Sequence, residues 1–170
     1  MNASAVKLYS LSLSNAKTYL YAALFVAGNI LFSQLCHIIP NGGFILAPIY
    51  FFTLVGSYKY GMKTGLLIAV LTPIICYILV GMPPLAKMPI ILIKSGLLAV
   101  AASIAAQKSG KISLLAILLA ILAYQLIGTG AEWFITSDIS IATQDFWMGY
   151  PGLLFQLFGG YAVLKLLAKV

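Results

Sequence analysis

The chain has 170 residues, 62% hydrophobic and only 8% charged, with a mean hydropathy of +1.06; that leaves too few charged side chains to coat a soluble globule and points to an integral membrane protein. Its formal charge of +7 comes from ten basic residues, all lysine, against three acidic ones. The lysines stand singly or in pairs at the ends of apolar runs rather than as a stripe interleaved with aromatics, so they read as contacts to lipid headgroups and argue against a nucleic-acid partner.

Taken in chain order, a polar segment at 1–16 precedes a first apolar run at 17–38. Lys17 ahead of that run and Cys36 near its end resemble a processed signal. However, Ser33, Gln34 and Leu35 lack the small residue such cleavage needs, and the run is longer than a signal core, so a retained helix is expected. The second run, 43–58, is short and contains Pro48, which predicts a tilted, broken or partly irregular span covered by protein. Runs at 61–81, 87–107, 112–134 and 148–168 follow, each near the ~20 residues that cross a bilayer. Turn residues separate them: Pro40, Asn41, Gly42 and Gly43; Gly81, Met82, Pro83 and Pro84; Ser109 and Gly110. The expected fold class is therefore an all-α integral membrane protein, one domain over 1–170, built as a compact bundle of six transmembrane helices. Lys7, Lys17, Lys59, Lys63, Lys108, Lys111, Lys165 and Lys169 fall at run ends that share one side. The positive-inside rule then puts both termini, with segment 1–16, in the cytoplasm. The loops at 39–43, 82–86 and 135–147 face outward.

Ionisable and amide side chains inside apolar runs are costly and mark cavities or partners. Lys94 lies about 10 Å below Lys87 at 1.5 Å per residue. Gln125 on the fifth run and Gln156 on the sixth reach a similar depth, and Asn29, Gln34 and His37 add polar groups from the first. Nearer the outer surface come Glu132, Trp133, Trp147 and Tyr150. Together they predict an outward-opening pocket, floored by a lysine and amides and rimmed by aromatics, for a small ligand with an apolar or ring portion and an anionic group. The plainer alternative is that Lys94 pairs with Glu132 to neutralise two buried charges while the tryptophans anchor an interfacial aromatic belt. His37 beside Pro40 has no carboxylate or cysteine neighbour in sequence, and Cys36 and Cys76 lie apart in apolar runs, so no metal, disulfide or cofactor is expected.

Small residues recur at i and i+4 in the cytoplasmic half: Ala23 and Ala27 on the first run, and Gly61, Gly65 and Ala69 on the third. Such strips let another helix approach closely, either within the bundle or from a second membrane subunit.

The stretch Leu46–Ser95 carries Pro48, Gly56, Gly61, Gly65 and Pro73, then Gly81, Met82, Pro83 and Pro84, and a helix opening Met88, Pro89. In this pattern, and in size and orientation over about 18–165, the chain resembles the substrate-binding S components of energy-coupling factor (ECF) transporters, of the pantothenate and hydroxymethylpyrimidine type. The resemblance implies a subunit of a prokaryotic cell membrane that captures a vitamin or vitamin precursor from outside and topples against a transmembrane coupling subunit driven by two ATPase subunits. It implies that Ala23 and Ala27 dock the coupling subunit and that Pro40, Asn41, Gly42 and Gly43 form a lid. Many related sequences carry an acidic residue near the position of Lys94; the lysine here points by charge complementarity to a carboxylate or phosphate-like ligand.

No GxxxxGK(S/T) phosphate loop is present, so ATP hydrolysis is expected only in partners. An enzyme would need a reactive constellation, and His37, Glu132, Asp138 and Asp145 offer acids and bases without a nucleophile-base spacing. A self-sufficient transporter is the nearer rival, but polar groups do not continue into the cytoplasmic half and no inverted repeat is apparent. A non-catalytic assembly subunit is the remaining alternative.

Overall fold

A computed structural model describes Leu8 and residues 10–168; Lys7 and Lys169 lie outside the described residues. These residues contain helices and no strand. The helices are α1 (Ala16–His37), α2 (Gly42–Leu46), α3 (Phe51–Tyr60), α4 (Met62–Val80), α5 (Met88–Ser109), α6 (Leu114–Thr136), α7 (Ile139–Ala142), α8 (Gln144–Trp147) and α9 (Tyr150–Leu167). Short 3-10 turns at Pro48–Tyr50 and Leu85–Lys87 lead into α3 and α5. Among the described residues, five helices are long and apolar enough to cross a membrane: α1, α4, α5 with its leading turn, α6 and α9.

The sequence explains where these helices start and stop. The Asn15 side chain accepts from Lys17 N at 3.0 Å to cap α1, and the Ser113 side chain caps α6. Gly81 and Gly110 close α4 and α5 in left-handed conformations, at φ of 70° and 61°. Pro89 and Pro151 fall in the first turns of α5 and α9, where a missing N–H costs nothing.

The second predicted span is broken. Pro48 lacks an N–H and disfavours helical geometry in the residue before it, and Ala47 accordingly adopts φ 42° and ψ 52°, ending α2. The freed backbone is compensated by Asn29 of α1. Its carboxamide oxygen accepts from Phe52 N at 3.0 Å, in the first turn of α3, and its Nδ2 donates to Thr53 Oγ1 and Thr72 Oγ1, both at 3.2 Å. One buried amide thus ties α1, α3 and α4 at the break, as irregular backbone inside a bundle requires.

α3 is the centre of the bundle and packs against α1, α4, α5 and α9. All its residues except Phe52 are buried, and Leu54, Val55 and Tyr58 belong to one core cluster with Ile68 of α4, Leu98 and Ala102 of α5, Ile117 of α6 and Leu164 of α9. Because α3 faces protein on every side, it can carry Thr53, Ser57 and Lys59 without exposing them to hydrocarbon. Lys59 Nζ donates to the Leu167 carbonyl at the end of α9. The α3–α4 crossing is close: a Cβ on Gly65 would lie 2.1 Å from Ser57 Oγ, and one on Gly56 2.4 Å from Ile68 Cδ1. Gly65 and Ala69 are therefore consumed inside the bundle, whereas Ala23 and Ala27 are exposed along α1. The outer surface is apolar in the manner of a lipid-facing protein, with Leu20, Leu24, Leu31, Ile78, Leu115, Leu126, Phe134 and Leu166 largely exposed.

Candidate functional site

A cavity of about 340 Å³ lies at the end of the bundle formed by the C-terminal ends of α1, α4 and α6 and the start of α5. Its walls come from Ser33, Gln34 and His37 of α1, the segment Ile39–Gly43, the break Ala47–Tyr50, Cys76 and Val80 of α4, Met82–Pro84, Lys87 of the turn before α5, and Ile90, Ile91 and Lys94 of α5. Glu132 of α6 and Gln144 and Asp145 of α8 complete it.

Two local features shape the wall made by the first connection. A Cβ on Gly42 would meet the Cys36 carbonyl at 2.0 Å, and one on Gly43 would meet His37 Nε2 at 2.8 Å. Only glycine lets 42 fold back against the backbone at the end of α1, while at 43 the close neighbour is the His37 ring, a side chain that can turn aside. All four residues expected as a lid, Pro40, Asn41, Gly42 and Gly43, border the cavity.

The chemistry concentrates in one ion cluster. The Lys94 stem lies over Gly128 of α6, where a Cβ would stand 2.7 Å from its Cγ. Glu132 is one turn above Gly128 on the same helical face, and its carboxylate accepts from Lys94 Nζ. Asp145 reaches the same ammonium from α8, at 2.7 Å. Lys94 is only 2% exposed, Glu132 is buried, and the Asp145 side chain is 38% exposed. Before Asp145 in the chain, the exposed Asp138 carboxylate caps α7, accepting from Ser140 N at 2.8 Å and Ile141 N at 3.2 Å, and Ala142 is fully buried.

The predicted site residues divide sharply. Lys94 and Glu132 border the cavity and pair with each other. Gln125 and Gln156 are buried but are not cavity-lining: Gln156 Oε1 accepts from Tyr124 Oη at 3.1 Å, and the Nε2 atoms of both glutamines have no partner among the described residues. They form a deeper polar layer behind Tyr50, whose ring stands 5.6 Å from that of Tyr124, so the floor is not the level surface of lysine and amides that equal depth implied. Asn29 is fully engaged at the α3 break and does not reach the cavity. Trp133, Trp147 and Tyr150 are 54%, 80% and 59% exposed and absent from the lining. They point outward near the helix ends, in the arrangement of interfacial anchors.

Gln34 and His37, polar groups expected in the outer half, do border the cavity, whereas sequence reasoning did not select Tyr50, Gln144 or Asp145 as lining residues. A signal for Asp145 existed: a lysine buried among apolar helices needs compensation, and the chain has only three acids with which to supply it. Among the described residues no group of three or more His, Cys, Asp or Glu side chains converges on one point; Cys36 and Cys76 are both free and buried. No family model matches the chain, nor does any curated protein or solved structure.

Proposed function

We propose that the chain is a membrane-embedded substrate-binding subunit of an ECF-type importer, taking up a vitamin-like or precursor molecule across a prokaryotic cell membrane. In this reading α2 and α3 together form the sixth span, both termini are cytoplasmic, and the cavity opens outward. The observation that carries it is the cavity itself: a ligand-sized space holding a buried ion cluster, in a bundle whose long helices present largely apolar faces, bordered by a connection in which Gly42 folds back on the end of α1. Supporting it, the four-residue connection after α1 lies at the wall, and Ala23 and Ala27 leave a flat exposed strip on α1 for a coupling subunit. ATP hydrolysis would be supplied by two partner ATPase subunits.

Native mass spectrometry of the detergent-purified chain, expressed in rich medium and then denatured, tests this directly. A stoichiometric, water-soluble small molecule released on denaturation is expected. A chain that carries only lipid, and stays empty when incubated with cell extract, contradicts the reading and favours an assembly subunit.

A further inference from the structure

We infer that the cavity selects a ligand bearing a positively charged or multiply N–H-donating nitrogen group, such as an amine or amidine, and that Glu132 and Asp145, rather than Lys94, receive it. The inference rests on the binding-subunit reading and adds the polarity of the ligand to it.

Lys94 alone would attract an anion. In the folded chain its ammonium already donates to two carboxylates, Glu132 and Asp145, so these three side chains together carry one negative charge in excess, with Lys87 the second cation of the cavity wall. An ammonium has three N–H donors and no acceptor; two are engaged, leaving at most one. Each carboxylate has two oxygens with acceptor capacity only, and Lys94 engages one oxygen of each. The unspent hydrogen-bonding capacity of the cluster is therefore almost entirely acceptor. A ligand ammonium or amidinium supplies both what is missing: N–H donors for the open carboxylate oxygens and the charge that balances the excess. An anion, in contrast, would have to displace Asp145 from Lys94 and still face Glu132.

The surroundings are consistent with this. Lys87 also lines the cavity, but it ends the turn before α5, seven residues from Lys94 and about 10 Å further out along the helix axis. The Tyr50 ring, Ile90 and Ile91 give the cavity an apolar wall beside the carboxylates, suited to a ring or short hydrocarbon portion.

Benzamidinium and benzoate, nearly identical in shape and opposite in charge, are the probes. Binding of each to the intact detergent-purified chain is measured by calorimetry for the parent, E132Q, D145N and, as a control, D138N. D138N keeps an N-cap side chain and lies on the exposed loop. Unfolding temperatures establish that each variant is folded, and the partly exposed Asp145 tolerates substitution if Glu132 does not. The expected result is that benzamidinium binds the parent at least tenfold more tightly than benzoate. D145N and E132Q should each lose at least tenfold of that affinity, and D138N should lose none. Benzoate binding equally or more tightly, binding by neither probe, or an unchanged preference in both carboxylate variants overturns the inference. The two readings separate cleanly. A captured cellular compound that is anionic leaves the binding subunit standing and removes only the charge assignment. No captured compound together with no probe binding removes both.

Discussion

Replacing Lys94 by methionine keeps most of the stem that lies over Gly128 while deleting the ammonium. It leaves Glu132 buried beside Asp145 with no cation between them. Removing one partner of a buried ion pair costs about 3–5 kcal/mol, because the remaining charge is uncompensated. The Asp145 side chain is 38% exposed and can turn to water, which puts K94M near the lower end, about 3 kcal/mol. E132Q still leaves Lys94 paired with Asp145 and should cost about 1.5–3 kcal/mol, roughly one charged hydrogen bond. In K94M/E132Q the stranded buried carboxylate is gone, so the double variant should lose less than the sum of the singles by about 1–3 kcal/mol. Reversible denaturant unfolding in mixed micelles, followed by far-UV circular dichroism, measures all three. In a chain of this size K94M should also lower the unfolding temperature by roughly 6–12 °C. A K94M protein within 1 kcal/mol of the parent, or strictly additive single effects, would show that the cluster does not hold these helices together.

Other perturbations have equally specific outcomes. N29A strands the Phe52 N–H at the start of α3 and removes donors to Thr53 and Thr72; about 2–3 kcal/mol of stability should go, with faster hydrogen exchange across 48–54, and unchanged exchange there would contradict the capping role. G65A drives a Cβ into Ser57 Oγ and should destabilise by about 1–3 kcal/mol, measured by the same unfolding assay, while A27L on the exposed face of α1 should leave stability unaltered. In cells, A27L should abolish uptake of the bound compound without weakening binding by the isolated chain; normal uptake would remove α1 as the docking surface. W133A and W147A should leave ligand affinity within about twofold on calorimetry, since both side chains are exposed and neither borders the cavity, and a tenfold loss would bring them back to the site.

The long helices were readable because each apolar run must hide its own backbone in hydrocarbon, and that requirement is local. The break at Pro48 was readable for the same reason. What the sequence does not announce is that the broken span is the central one: α3 is short and polar because protein surrounds it, and only packing reveals that. Lys94 could be singled out as an expensive charge, but its second partner comes from a polar loop 51 positions later, where an acid ordinarily means solvent. Asn29 looked like a ligand group because a buried amide in a span satisfies a helix break and a ligand equally well; the deciding fact is the position of the Phe52 N–H. Trp133, Trp147 and Tyr150 posed a similar ambiguity, since an aromatic at a helix end suits a pocket rim or a lipid interface, and only the direction of the ring separates the two.

Cys76 offers the most direct test that the cavity is where a small molecule sits, because it lines that space whereas Cys36, the other free thiol, does not. In a C36A background Cys76 is the sole thiol, and its rate of modification by a small methanethiosulfonate can be followed by mass spectrometry with and without the compound released on denaturation. The account predicts that saturating compound slows modification at least tenfold. An unchanged rate, under conditions where calorimetry shows the compound bound, would place binding elsewhere and contradict the assignment of this cavity.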